Sequence, residues 1–148
     1  MNDDWRQHLL ESDDAIDALL GRLRRIAVLG IKPDDRADQP AWFVPAHAQQ
    51  AGLEIVPVPV RYPDVTTILG QPVFRTVAAV PGRVDLVDVF RHPDDLPAHV
   101  DDLLAAHPGA VWFQSGIRND AVAERLARAG IDVVQDRCLK TELEDRER

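Results

Sequence analysis

The sequence predicts a three-layer α/β fold, a doubly wound, mostly parallel sheet of five to six strands with helices on both faces. Three observations carry this. Short apolar runs recur at IAVLG (26–30), LEIVPVPV (53–60), VDLVDVF (84–90), GAVWFQSG (109–116) and IDVVQD (131–136), and a continuous apolar run marks a strand covered on both faces. Segments of helical periodicity alternate with these runs, the pattern of a parallel sheet. Right-handed crossovers then connect the strands.

Residues 3–21 read as one or two amphipathic helices. Trp5, Leu9, Ile16, Leu19 and Leu20 share a stripe, Ser12 is placed to cap a second segment and Gly21 to stop it. The first strand, 26–30, follows Arg24 and Arg25. The next helix falls within 40–51. Pro40 suits its first turn, whereas Pro45 lacks an N–H and clashes with the preceding turn, so the helix is expected to start after 42 or to kink. Gly52 ends it. Pro57 and Pro59 put the second strand on an edge or make its end leave the sheet. Residues 61–83 are the least regular, with a short strand expected at 72–75. After the strand at 84–90, residues 92–107 form a helix with acids in its first turn and Leu96, Val100, Leu103 and Leu104 toward the core. A strand at 109–116, a helix at 119–130 with an Asn119 cap and a Gly130 stop, and the last strand at 131–136 complete the pattern. CLKTELEDRER is expected to be mostly solvated, with 141–148 a charged tail.

The 148 residues suit one domain, and 45% hydrophobic content suffices for a core. A net charge of −8 and a pI near 5.0 argue against general affinity for nucleic acid or anionic membrane, since both need a broad basic face. A small anion held by a few focused cations remains compatible. One cysteine, Cys138, excludes an intrachain disulfide framework and fits a reducing cytosol, so the expected location is cytoplasmic. No apolar run approaches the roughly 20 residues of a membrane span, and the acidic start is not a signal peptide.

Ligands on such sheets sit beyond the carboxyl ends of the strands. Four of the five strand ends carry Lys or Arg: Gly30-Ile31-Lys32, Val58-Pro59-Val60-Arg61, Phe90-Arg91 and Asp136-Arg137-Cys138; the fifth is Gln114-Ser115-Gly116. The stretch AVLGIKPDDRADQP (27–40) has the strand–glycine–helix layout of a phosphate-binding turn. It lacks the dinucleotide fingerprint G-x-G-x-x-G.

Plainer readings stand beside these. Asp34, Asp35 and Asp38 are expected to face water or cap the next helix. Arg91 suits an anion site or an ion pair with Asp88 or Asp136. Ser115 lacks the G-x-S-x-G context of a nucleophile. Cys138 is a small residue at a strand end, beside the cations Arg137 and Lys140. Histidines 8, 47, 92, 99 and 107 show no metal-ligand spacing. Trp112, Trp42 and Phe43 read as core, the latter two alternatively as flanking the cleft.

Five stretches carry a resemblance to a known family: IAVLGIK (26–32), ADQPAWFVP (37–45), IVPVPVRYPDV (55–65), VDLVDVFRHPDDLPAHV (84–100) and AVWFQSGIRNDAVAERLARAGIDVVQDRCLK (110–140). In this order the chain resembles the small stand-alone CoA-binding proteins of bacteria, whose Rossmann-like domain also opens the succinyl-CoA synthetase alpha subunit and ADP-forming acyl-CoA synthetases. The resemblance implies a single CoA-binding domain with coenzyme A or an acyl-CoA as ligand. It implies that Gly30 and Ile31 let the backbone approach the ligand and that Lys32 and Arg36 meet the phosphates. Val58 and Pro59 would line the adenine and ribose side, with Arg61 near the 3′-phosphate. Val89, Phe90 and Arg91 would wall the pyrophosphate and pantetheine arm, which Gln114 and Gly116 would face. The synthetases carry their phosphorylated histidine in a second domain, which this chain is expected to lack, so binding carries over and catalysis does not. Three alternatives stay open: a subunit that needs a catalytic partner, an NAD(P)-binding module, or an interaction domain without its ligand. A homodimer or another protein partner fits any of them.

Overall fold

The computed structural model describes residues 4–146. Residues 1–3, of which Asp3 opens the expected helical stretch, and the last two of the expected tail lie outside the described residues. The main sheet has five parallel strands: β1 (Arg25–Leu29), β2 (Glu54–Val58), β5 (Leu86–Val89), β6 (Ala110–Phe113) and β7 (Asp132–Val134), in the order β2-β1-β5-β6-β7. Two-residue strands β3 (Thr67–Ile68) and β4 (Gln71–Pro72) form a separate antiparallel hairpin. The strand order reverses between β1 and β5, and that reversal opens the crevice in which such sheets bind ligands.

Both faces of the sheet are covered, so its strands read as continuous apolar runs. On one face α1 (Asp13–Leu20), α2 (Pro40–Gln50) and α5 (Leu139–Arg146) pack Ile16, Leu19, Val44, Ala48, Leu139 and Leu143 against Ile26, Val28, Leu86 and Trp112. On the other, α3 (Val100–Ala106) and α4 (Asp120–Arg128) set Val100, Leu103, Val122 and Leu126 against Ala27, Leu29, Val87, Val89 and Phe113. The alternation along each strand distributes these side chains to the two layers.

Local chemistry explains the helix ends. The Ser12 hydroxyl accepts from Ala15 N–H at 3.1 Å and Asn119 Oδ1 from Val122 N–H at 3.1 Å, each satisfying an orphan donor of a first turn. The N-terminal segment is not continuous helix. A short 3-10 turn (Trp5–His8) ends at Leu9, which forms an isolated parallel bridge with Val133, and Leu10 N–H donates to Val133 O at 2.8 Å. One residue pair thus stands where a sixth strand would run.

Three expectations change. Residues 92–107 are not one helix: Pro93–His99 is 3-10 and only Val100–Ala106 is α, because Pro97 cannot donate within the first stretch. The irregular segment holds a hairpin at 67–72 rather than a strand at 72–75; Val73 N–H bonds Thr66 O instead, and Phe74 N–H bonds Pro57 O at 2.9 Å. Pro57 thus sits on the outer edge of β2, where no ladder partner needs its missing N–H. The charged C-terminal stretch is a packed helix, in which Leu139 and Leu143 are buried. Arg146 pairs with Asp17 and Lys140 with Glu144 along its polar side. Leu143→Ala is expected to cost about 2 kcal/mol, read as a lower urea midpoint at unchanged slope; a truly solvated tail would lose nothing.

Pro45 lies inside α2, and its effect is local. Its missing N–H would have bonded Ala41 O, and that carbonyl instead accepts the N–H of Lys32 at 3.2 Å. The proline therefore ties the loop after β1 to the helix rather than breaking it.

Candidate functional site

The loops after β1, β2 and β5 meet at the strand-order reversal. Between them lies an open cleft of about 250 Å³ lined by Gly30, Ile31, Lys32, Val60, Arg61, Tyr62, Phe90 and Arg91. Three cations from three loops thus face one space. Among the described residues neither Lys32 nor Arg61 pairs with a carboxylate within 4.0 Å. Lys32 Nζ donates to the amide oxygen of Gln39 at 3.4 Å.

Arg91 is more tightly set. Its Nε donates to His99 Nε2 at 3.2 Å, and Nη2 lies 3.5 Å from Asp95. The alternative reading of Arg91, an ion pair with Asp88 or Asp136, does not form among the described residues. Burial, and next the charge of Arg91, hold His99 below the usual histidine range. The imidazole therefore stays a neutral acceptor that aims the guanidinium without cancelling its charge.

The glycine of the first loop has a steric reason to be there. Gly30 has φ +88, and a Cβ on it would overlap the Phe90 carbonyl oxygen and stand 3.1 Å from Arg91 Cδ. The ends of β1 and β5 pack backbone to backbone, which draws the two halves of the cleft together.

The loop differs from a phosphate-binding turn that runs straight into a helix. A 3-10 turn (Asp34–Arg36) separates Gly30 from α2, Pro40 has no N–H, and those of Trp42 and Phe43 turn back to Gln39 O. The helix start offers few free donors, so an anion here would be met by side-chain cations. The acids of this loop do not crowd the cleft. Asp34 Oδ1 accepts from Trp42 Nε1 at 2.9 Å and from Leu69 N–H at 3.0 Å, which docks the hairpin turn. Asp35 lies 3.9 Å from Arg36.

Of the expected site residues, Gly30, Ile31, Lys32, Arg61, Phe90 and Arg91 come together here. Arg36 is exposed and lies outside the cleft lining. Val58, Pro59 and Val89 are buried, the two valines in the core layer beneath α3 and α4. Val60 and Tyr62 line the cleft in their place. Gln114 turns into the core: its Nε2 donates to Asp88 Oδ1 at 2.6 Å, and its Oε1 accepts Leu139 N–H at 3.4 Å. Gly116 belongs to a separate loop, closed by Asp136 Oδ1 on its N–H at 2.6 Å. The fourth strand-end cation, Arg137, is structural; it bonds Asp13, Glu142 and Glu11 O and so pins the N-terminal segment to α5.

Sequence reasoning named Asp88 only as a pairing partner for Arg91 and missed that it is a buried carboxyl. Asp88 shares a face of β5 with Phe90 and is fully buried, with Oδ2 lacking a hydrogen-bond partner. Burial pushes its pKa up to about 7 against the opposing Gln114 hydrogen bond.

A family model described as a CoA binding domain matches residues 24–144. The chain belongs to this CoA-binding domain family. The match takes in every strand and all three loops of the cleft. The domain is 33% identical over 125 residues to the Bacillus subtilis (strain 168) protein YneT, covering 84% of this chain and 89% of YneT. Its fold is similar to that of cell-free ID.343 from Thermus thermophilus, with a TM-score of 0.83 at 36% identity, covering 91% of this chain and 98% of that one. A hypothetical protein from Pyrococcus horikoshii OT3 superposes with a TM-score of 0.81 at 27% identity, over 91% and 92% of the two chains. The Rossmann-like reading of the CoA-binding domain thus holds. Among its described residues no helix is long and apolar enough to cross a membrane.

Proposed function

We propose that the chain binds coenzyme A or a small acyl-CoA at the cleft between the ends of β1, β2 and β5, and catalyses no reaction of its own. One observation carries this reading: Lys32, Arg61 and Arg91, from three separate loops, converge on one cleft at the strand-order reversal of a protein whose net charge is −8. Cations gathered against an overall negative field suit a ligand with several phosphates. In this reading Lys32 and Arg91 meet the pyrophosphate, with the Gly30–Ile31 backbone beside them, and Arg61 meets the 3′-phosphate. Val60, Tyr62 and Phe90 offer apolar surface to the base and to the pantetheine arm.

Calorimetric titration with CoA, dephospho-CoA and NAD⁺ tests it. Saturable binding of CoA, weaker for dephospho-CoA and absent for NAD⁺, is expected. Lys32→Met and Arg91→Met are each expected to weaken CoA by about tenfold or more, as for a lost hydrogen bond to a charged group. No saturable binding of CoA or acetyl-CoA at high micromolar concentration overturns the reading. Preference for NAD⁺ replaces it with a dinucleotide site.

A further inference from the structure

The loop that carries Arg61 into the cleft is held by a side chain outside the cleft. The Arg75 guanidinium donates to four main-chain carbonyls: Nη1 to Arg61 O and Tyr62 O, both at 3.3 Å, and Nη2 to Pro63 O at 3.1 Å and Val65 O at 2.7 Å. Those oxygens gather on one point because the chain turns sharply at Tyr62, whose φ of 63 is a left-handed conformation rare for a bulky residue. Four clustered carbonyl oxygens repel one another and repel an anion placed near them. A planar guanidinium, always charged and with donors in a fixed fork, matches such a cluster as no other side chain does.

The far end of the same segment is anchored independently. Leu69 N–H donates to Asp34 and Leu69 O accepts from Gln49 Nε2 at 3.0 Å. Loss of Arg75 therefore leaves the 62–65 turn only its own bond, Val65 N–H to Tyr62 O at 3.1 Å, while Gln49 keeps the hairpin docked on α2.

We propose that Arg75 is a positioning residue of the anion site. It fixes the main chain at residue 61 so that the Arg61 side chain faces Lys32 and Arg91 across the cleft. The inference rests on the reading that Arg61 meets the 3′-phosphate of CoA. Arg75 does not line the cleft, so its effect falls on what Arg61 distinguishes rather than on binding as a whole.

The experiment compares dissociation constants for CoA and dephospho-CoA in the wild type, Arg75→Met, Arg75→Lys and Arg61→Met, alongside thermal melting. The wild type is expected to prefer CoA by about tenfold. Arg75→Met is expected to bring that ratio close to one while dephospho-CoA affinity stays within about threefold of wild type, a change that general destabilisation does not produce. Arg75→Lys, whose ammonium has three donors and no fork, falls between; it carries the test if Arg75→Met does not fold. In an Arg61→Met background, Arg75→Met is expected to leave the ratio unchanged, because the group it positions is gone. A folded Arg75 variant that keeps the wild-type ratio overturns the inference, as does a further fall in the ratio in the Arg61→Met background. A wild type without preference for CoA overturns the underlying reading and the inference together.

Discussion

Gly30→Ala is expected to cost about 2–5 kcal/mol of stability, the sum of a left-handed backbone forced on a residue with a Cβ and of overpacking against main chain. The φ of +88 accounts for the first part and the Phe90 carbonyl for the second. Relief is difficult because the obstacle is the backbone of β5's end and not a flexible side chain. Gly52→Ala is the natural control: its φ is +100, yet nothing lies within 4 Å of the added Cβ. That variant is expected to lose only about 1–2 kcal/mol. Urea unfolding of both variants separates the two contributions. Equal losses would show that β1 and β5 can part at little cost. Any separation also moves Arg91, whose Cδ is the next atom met, so CoA affinity is expected to fall with stability in the same variant.

Asp88 sets the second large effect. In the unfolded chain this carboxyl loses its proton near pH 3.8; in the fold, burial holds the proton up to about pH 7. Between these values the folded state binds more protons than the unfolded one. Its contribution to stability is therefore full below about pH 4, falls as pH rises, and levels off above about pH 7. Three pH units correspond to about 4 kcal/mol. Asp88→Asn removes the titration while keeping an oxygen for the Gln114 amide. The variant is expected to match the wild type near pH 4 and to exceed it by up to about 4 kcal/mol at pH 8. Subtracting the two stability curves cancels groups shifted the other way, such as Asp85, which main-chain and Arg83 hydrogen bonds lower against the opposing effect of its burial. A difference curve flat from pH 4 to 8 would mean that Asp88 is ionised in the fold at no cost.

Much of the architecture was legible in the linear pattern. Continuous apolar runs announced a covered parallel sheet, and Ser12, Asn119, Gly52 and Gly130 marked helix ends through local chemistry. The expectations that changed share a cause: their outcome depends on a distant partner. Helix α5 read as solvated because Leu139 and Leu143 are sparse among charges, and it is ordered by the apolar face of α1 and α2. Pro45 read as a sign that the helix starts after 42 or kinks, whereas α2 starts at Pro40, because a sequence cannot show that Lys32 N–H stands in for the lost partner of Ala41 O.

The same division runs through the site. Residue types at strand ends, and so the presence of several cations beyond the sheet, belong to the sequence alone, because strand period and crossover handedness are local rules. Which cations share a space is a tertiary matter. Lys32, Arg61 and Arg91 converge because the strand order brings β2, β1 and β5 side by side, whereas Arg137, in the loop after the opposite edge strand, is bonded to Asp13 and Glu142. Gln114 and Asp88 turned inward for a related reason. On a sheet covered on both faces each strand residue enters one of two buried layers, and a polar one must find a partner there.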